Sequence, residues 1–426
     1  WYGYEDSSTY SSIPNDYCVK DLLGHFMIMK DLWWLDIFIT MSIIGIFALL
    51  VVGTYMLIAD LSKEERHTTL NFIRLSPQSA TNIFVGKILG VPILVYLFGL
   101  ISMPLHIWAG LSAHISFPLI LAFYLILGIS CLFFYSLSSL YSLVSSSLGS
   151  FQAWLGSSII FFFLLGVMGV TLESHSTFSE TPFDWLLLFY PGTMLIYLVK
   201  STLIAPDSIG FLSFEGLANL HWYGMTLWQN MIAGIGFIIL NYAVWSFWIW
   251  QGLKRHFHNP LSSVISKYQS YWLSACFIIF NLGFAIQDVG RHNLDDNFQI
   301  LQIFNLALFL ILIACLIPHR QTLQDWSRYR HQNPQETRAL WKDLIIGEKS
   351  PAILAIAFNV MIVTLYTIPS LFLLPLGNDR LPLLGGLIVS GMIILIYATI
   401  AQLSLMLKSN KRGLISGAIV SGVMVL

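Results

Sequence analysis

The chain is short of charge. Of its 426 residues 10% are Asp, Glu, Lys or Arg, against about 25% in an ordinary soluble domain. That is too little to cover a water-exposed globule of this size, so a soluble enzyme or binding module is excluded. Cysteine is scarce as well. Cys18, Cys131, Cys276 and Cys315 are scattered, three of them inside apolar runs, which leaves no disulfide framework. No basic patch of the size that nucleic acid requires is present and the formal charge is −1, so no nucleic-acid partner is expected. The apolar runs lack the short alternating pattern of a β-barrel. No signal peptide is expected from the sequence, which opens at Trp1 without Met and closes at Leu426 inside an apolar run, so both ends are expected to be missing.

Chemistry-bearing motifs are missing too. A phosphate-cradling G-x-x-x-x-G-K-[ST] loop is absent: Gly86-Lys87 is followed by Ile88 and has no Gly five positions before it. Neither H-E-x-x-H nor G-x-S-x-G occurs. The chain by itself is therefore not an enzyme on this reading. The long apolar runs hold almost no ionisable residue. Asp36, Asp60 and Asp288 sit at their edges, and His106 is the main exception. Ion-driven carriers keep charged groups deep in the membrane because each marks a path, so a proton or sodium carrier is disfavoured. His256 and His258 flank Phe257 beside Lys254 and Arg255; the pattern fits a hydrated basic edge better than a metal pair.

What is present is hydrocarbon. The composition is 56% hydrophobic and the mean hydropathy is +0.74. Apolar runs about the length of a membrane helix cover Ile37–Ala59, Ile88–Gly110, Phe117–Leu143, Phe151–Leu172, Leu227–Trp250, Tyr271–Gln287, Phe298–Ile317, Ala352–Leu374 and Leu383–Leu407, with a tenth starting near Gly413. The fold class is all-α: a polytopic integral membrane helical bundle with about ten visible transmembrane helices. Residues 1–16 read as a loop. From Tyr17 to Trp34, Leu22, Phe26, Met29 and Trp33 share a helical face, which predicts an interfacial helix with Trp33 and Trp34 at the headgroups. Pro92 and Pro104 are expected to kink their span.

Between the fourth and fifth runs lies Glu173–Thr226. Its apolar piece, Trp185–Ala205, is broken by Pro191-Gly192. That break fits a pair of short helices dipping into the membrane from the outer side, or an exposed loop with an interfacial helix. Glu173, Glu180, Asp184, Asp207 and Glu215 make the segment acidic, which suits a cation vestibule or plain charge asymmetry. Ser138, Ser142, Ser146 and Ser150 recur every four residues, giving a small face for close packing or for a polar path. Asn241, Asn281, Asn305, Asn359 and Gln402 fall in mid-run and are expected to bond across helices.

Orientation follows from Lys and Arg. With the 60–87 loop in the cytoplasm, 16 basic residues fall inside and 5 (Lys20, Lys30, Lys200, Arg291, Arg380) outside, a positive-inside bias. The cytoplasmic segments are then 60–87, 251–270, 318–350 and 408–412, in a multi-pass protein of the plasma (inner) membrane. In the third of these, Leu340, Trp341, Leu344 and Ile345 line one side of an amphipathic helix. It could anchor on the membrane surface or hold a partner.

One loop stands out. Asp60–Gly90 carries the first half's long charged stretch, and Lys63–Leu75 contains no Pro or Gly. It predicts a short helix with an apolar face from Leu70, Phe72, Ile73 and Leu75. Ser76-Pro77 then reads as an N-cap with Pro at the first helical position. The run Glu65-Arg66-x-Thr68-Thr69-Leu70-Asn71-x-Ile73-x-x-Ser76-Pro77 resembles the coupling helix of type-2 ABC exporter permeases, roughly E-R-x-G-T-L-E-x-L-x-x-S-P. It departs at Thr68, where Gly is usual, and at Asn71, where Glu is usual. The resemblance covers roughly residues 37–251.

It implies a cytoplasmic coupling helix and outer re-entrant helices. It also implies a separate ABC ATPase subunit that carries ATP and Mg, since no cofactor is expected on this chain, and a second copy or homologous permease chain. Glu65, Arg66, Thr69, Leu70, Phe72, Ile73, Arg74, Leu75, Ser76 and Pro77 would meet the ATPase, the apolar side chains in contact and Glu65, Arg66 and Arg74 at the rim. The expected organisation is an outer loop and interfacial helix (1–36), the exporter module lacking its first span (37–251), two further spans with a basic segment (252–350) and C-terminal spans (351–426). The cargo would be an amphiphile. The alternative is a non-transporting scaffold or accessory subunit of a larger membrane complex.

Overall fold

The computed structural model describes residues 18–20, 26–172, 181–202, 220–228, 230–287, 294–318, 320–332, 340–376 and 379–408, with isolated positions 417, 419 and 422. The helices are α1 Lys30–Arg66, α2 Thr69–Arg74, α3 Ala80–Gly90, α4 Ile93–Ser112, α5 Phe117–Val144, α6 Phe151–Leu172, α7 Asp184–Leu187, α8 Thr193–Lys200, α9 Met231–His258, α10 Lys267–Ala285, α11 Leu294–Leu316, α12 Arg320–Gln332, α13 Leu340–Ile345, α14 Ile353–Leu373 and α15 Arg380–Leu405. Two short antiparallel pairs complete the described residues: β1 (Cys18–Lys20) with β2 (Phe26–Ile28), and β3 (His221–Trp222) with β4 (Met225–Thr226).

Among the described residues eight helices (α1, α4, α5, α6, α9, α11, α14, α15) are long and apolar enough to cross a bilayer. The expected bundle of membrane helices is there, with corrections. The tenth run lies outside the described residues. The run at Tyr271 forms α10, but its first turns bring in Lys267, Gln269 and Ser270, so it is not among the eight. Its course still runs from one end of the bundle to the other. Val264, just before α10, donates its N–H to Cys315 at the end of α11, whereas Gln287, just after α10, bonds Asp184.

The interfacial helix expected at Tyr17–Trp34 is a β-pair followed by a helix from Lys30. Gly24 interrupts the helical pattern, and Phe26-Met27-Ile28 is a continuous apolar run that suits a strand. The expected span Ile88–Gly110 is divided: α3 ends at Gly90 and α4 starts after Pro92. Proline has no N–H to give the carbonyl four residues back, and Tyr96 Oη donates to that carbonyl, Ile88 O, at 2.8 Å. Pro104 sits inside α4.

α1 has an irregularity of its own. Residues Ala48–Val52 form a π-turn, and Tyr135 Oη of α5 donates to Leu49 O at 2.6 Å. The Tyr135 ring lies where a Cβ on Gly53 would be, so residue 53 admits no side chain. Nearby, Ser42 donates to Phe38 O at 2.8 Å and therefore accepts from His106 Nε2 at 2.7 Å. His106 Nδ1 is left to accept from Tyr124 Oη at 2.7 Å. The exceptional histidine is a packed, hydrogen-bonded one.

α5 packs on α9 and α1, α1 on α4 and α6, and α10 on α11 and α14, with α15 against α11 and α14. α7 and α8, on either side of Pro191-Gly192, are two short helices whose side chains reach into the bundle. Trp185 Nε1 donates to Asn241 Oδ1 at 3.0 Å, and Phe189 meets Phe133 and Tyr242. The pair is therefore packed against the bundle. Of its acidic residues, only Asp184 lies within the described residues, and it is buried. Ser138 and Ser142 are buried in α5, but α5 stops at Val144 and Ser150 is exposed, so the serine face packs helices and goes no further. Asn241, Asn359 and Gln402 bond across elements. Asn281 bonds only its own helix, and Asn305 has no partner.

The end of the bundle reached by α1, α5, α9 and α11 carries Lys63, Arg66, Arg74, Lys87, Lys254, Arg255, Lys267, Arg320, Arg328, Arg330, Lys342, Lys349 and Lys408; the other end carries Lys30, Lys200 and Arg380. Arg291, Arg338, Lys411 and Arg412 lie outside the described residues. On the basic face Lys267 Nζ donates to Ser350 Oγ, Pro351 O and Leu344 O at 2.7, 2.8 and 2.9 Å. Tyr271 Oη donates to Ile345 O at 2.6 Å. These bonds hold α13 to the bundle with Trp341 facing out, 67% exposed. Arg255 closes the same layer with a two-pronged bond to Glu348 at 2.7 Å.

Two outcomes are expected. Lys267→Met strands three acceptors and loses a charged donor, at about 1.5–3 kcal/mol; trypsin should then cut faster at Lys342 and Lys349, and unchanged cleavage would argue against the tie. The Arg255 hydrogen bond holds the Glu348 carboxyl below its usual range, burial opposing and the Arg255 charge assisting. A depressed carboxyl contributes stability above its unfolded value of about 4.3, lost as pH falls through the folded value. Thermal melts should therefore show a steeper acid loss in the parent than in Glu348→Gln.

Candidate functional site

The site begins where α1 leaves the hydrocarbon. Its last carbonyls have no helical donor. Thr69 Oγ1 takes one, Glu64 O, at 3.0 Å, while Arg66 Nε adds a second bond to Ser62 O, inside the helix, at 3.2 Å. The chain then turns at Thr68, whose φ is 58°. A β-branched residue in the left-handed region is strained, and the turn it makes sends α2 back across the end of the bundle. The helix expected over Lys63–Leu75 is thus two helices with an elbow. The expected N-cap at Ser76 is corrected as well: Ser76 and Pro77 lie in the turn, and Ser79 caps α3 by accepting from Asn82 N at 3.2 Å. Ser79 stands one residue before the helical run and three before its bonded N–H, which is what a cap requires.

α2 has two faces. Leu70 is 1% exposed and packs with Leu61, Phe84, Leu143, Leu253 and Phe257; Ile73 lies against the same cluster. Phe72 and Leu75 are 74% and 84% exposed. The sequence reading placed all four on one partner-facing side. At 100° per residue, residues 70 and 73 fall opposite 72 and 75, so the split was open to calculation. Leu70 cannot serve as a partner contact because it is the plug of a small core. That core draws on the ends of α1, α3, α5 and α9.

Charge braces the elbow. Lys87 Nζ of α3 bonds Asp60 Oδ2 and Glu64 Oε1 of α1, each at 2.7 Å, with the lysine side chain 13% exposed. Two carboxylates one helical turn apart straddle one ammonium, so α1 and α3 are held together at their basic-face ends. The sequence signal was the Asp60–Glu64 spacing of four before a lone lysine at the next helix. Ser62 Oγ donates to Gly149 O at 3.1 Å, tying in the turn after α5. Arg74 lies over the Phe257 ring at 5.7 Å and donates to Asn71 Oδ1 at 3.1 Å. Burial pulls the Arg74 guanidinium down from its usual range and the Glu65 carboxylate opposes this.

The ten expected residues therefore divide. Leu70 is buried, and Ile73 and Arg74 face the bundle. Glu65 is half-buried toward Arg74 and Ser146. Arg66, Thr69, Phe72, Leu75 and Pro77 are exposed, with Ser76 partly so. The arrangement has no reacting centre. It is an apolar knuckle, Phe72 and Leu75, on a stiff mount. Among the described residues no group of three His, Cys, Asp or Glu is placed to hold a metal. His256 is buried and His258 bonds Lys254 O; two residues apart on α9, they point to different sides. Comparison with family models, curated proteins and solved structures finds no match for the chain.

Replacing Thr68 by Gly should raise stability by about 1 kcal/mol, because the left-handed conformation then costs nothing. A melting temperature below that of the parent would show that the Thr68 hydroxyl outweighs the strain.

Proposed function

We propose that the chain is the membrane subunit of an ATP-driven exporter of the type-2 ABC class, driven by a separate ATPase that binds ATP and Mg. The observation that carries this reading is the knuckle: two large apolar side chains held out on a short helix whose other face is bolted to four long ones. A contact there moves α1, α3, α5 and α9 together, which is what a transmission element between an engine and a pathway needs. The left-handed turn at Thr68 falls where the resembled pattern carries Gly, the residue that conformation favours, and this supports aligning the two. The dipping pair α7–α8 supports it again.

In this reading the basic face is cytoplasmic, with segments 60–87, 251–270, 318–350 and 408–412 on that side of the plasma (inner) membrane. Leu340 and Trp341 of α13 rest on lipid. Two copies, or this chain with a homologous one, enclose the path, and the cargo is an amphiphile. Phe72 and Leu75 seat in a cleft of the ATPase, with Arg66 and Thr69 at the rim. Closure of the ATPases on ATP pushes α2 and tilts the attached spans.

The test is the assembled complex. Phe72→Ala with Leu75→Ala should leave the melting temperature of the subunit unchanged and lower coupled ATP hydrolysis and transport at least about tenfold, the loss of two buried apolar contacts at about 1.5–3 kcal/mol each. Ile73→Asp should lower stability and coupling together. Full binding and transport in the double variant would remove the mechanism and leave a non-transporting scaffold as the better account.

A further inference from the structure

Asn305 sits midway along α11 and is 5% exposed. Its Oδ1 and its Nδ2 both lack a hydrogen-bond partner. The other mid-span amides do better: Asn241, Asn359 and Gln402 each reach another element. An amide buried without partners costs about 1–3 kcal/mol, and within a bilayer no bulk water relieves it.

A cavity of about 10 Å³ lies beside Asn305, between α11, α14 and α15. That is on the order of what one water molecule requires. Its polar lining is Gln302, Asn305, Thr364 and Ser390. The two hydroxyls have already spent their protons. Thr364 donates to Met361 O and Ser390 to Leu387 O, both at 2.9 Å, so each can only accept from an occupant. Asn305 needs one acceptor for Nδ2 and one donor for Oδ1.

An occupant that serves Asn305 and one hydroxyl accepts once and donates twice, in the space of one small molecule; the Gln302 amide can take either role toward it. A metal cation meets the oxygens but gives Nδ2 nothing and brings an uncompensated charge. We infer that the cavity is a binding site for a single water, accepting from Asn305 Nδ2 and donating to Asn305 Oδ1 and to the hydroxyl of Thr364 or Ser390. The water is a structural ligand of the C-terminal helices: it joins α11 to α14 or α15 at mid-depth, where α11 otherwise presents a bare amide. This inference is independent of the exporter reading.

The experiment uses the full chain in lipid nanodiscs with ¹⁵N-labelled asparagine. Water-edited solid-state NMR should show magnetisation passing from water to one side-chain amide that disappears in Asn305→Leu, or in the milder Asn305→Thr if the first variant does not fold. The melting temperature of Asn305→Leu should fall by about 2–4 °C, and adding Ser390→Ala and Thr364→Val should cost less than in the parent because the shared water is already gone. No transfer to that amide, or a rise in melting temperature on removing it, would overturn the inference and mark the amide as dry.

Discussion

In hydrocarbon, a backbone carbonyl that loses its helical donor has no solvent to fall back on, and much of this bundle follows from that constraint. Proline at 92 leaves Ile88 O without its helical donor, and Tyr96 Oη supplies the missing proton. At the π-turn in α1, Leu49 O takes the Gly53 N–H and a second hydrogen bond from Tyr135 Oη. Tyr96 reaches back from α4 into α3, whereas Tyr135 crosses from α5. Serine hydroxyls inside the helices turn to carbonyls three or four residues back. Where such a donor stands ready, a long apolar helix departs from regularity without leaving a carbonyl unpaired. The departures therefore become fixed points rather than loose ones.

Much of the architecture was legible because membrane helices advertise themselves by length and hydropathy. The split of lysine and arginine between the two ends of the bundle was legible for the same reason: charge is kept out of hydrocarbon. Boundaries were less so. Periodicity through Leu22, Phe26, Met29 and Trp33 imitated a helix where short strands form, since a repeat of three or four is also met by chance in an apolar run. Ser76 was read as the cap because proline follows it, whereas Ser79 has the correct offset to the first free N–H. At the elbow Leu70 and Ile73 face the bundle while Phe72 and Leu75 face out, a split that the sequence reading did not make. Burial of Leu70 depends on Phe84, Leu143 and Phe257, which come from three other elements and leave no local trace.

The elbow also shows how a short segment becomes mechanically competent. Six residues of helix are too few to hold shape alone. α2 does so because its inner face is packed, its entry is set by the turn at Thr68, and the helices on either side are clamped by Lys87. Cluster, turn and clamp use apolar burial, backbone conformation and charge respectively. The second half uses the same economy at Lys267, where one ammonium binds three acceptors from the α13–α14 connection.

The π-turn at Ala48–Val52 has a geometric consequence for everything downstream in α1. Such a turn holds one residue more than an α-helical register needs, and each residue advances a helix by about 100°. Excising a single residue there would regularise the helix and swing its far end by roughly a quarter of a revolution. Asp60 and Glu64 would rotate away from Lys87, and Phe72 would be aimed along a different bearing. The irregularity in mid-membrane is thus the indexing mark that sets the compass direction of the knuckle some twenty residues away.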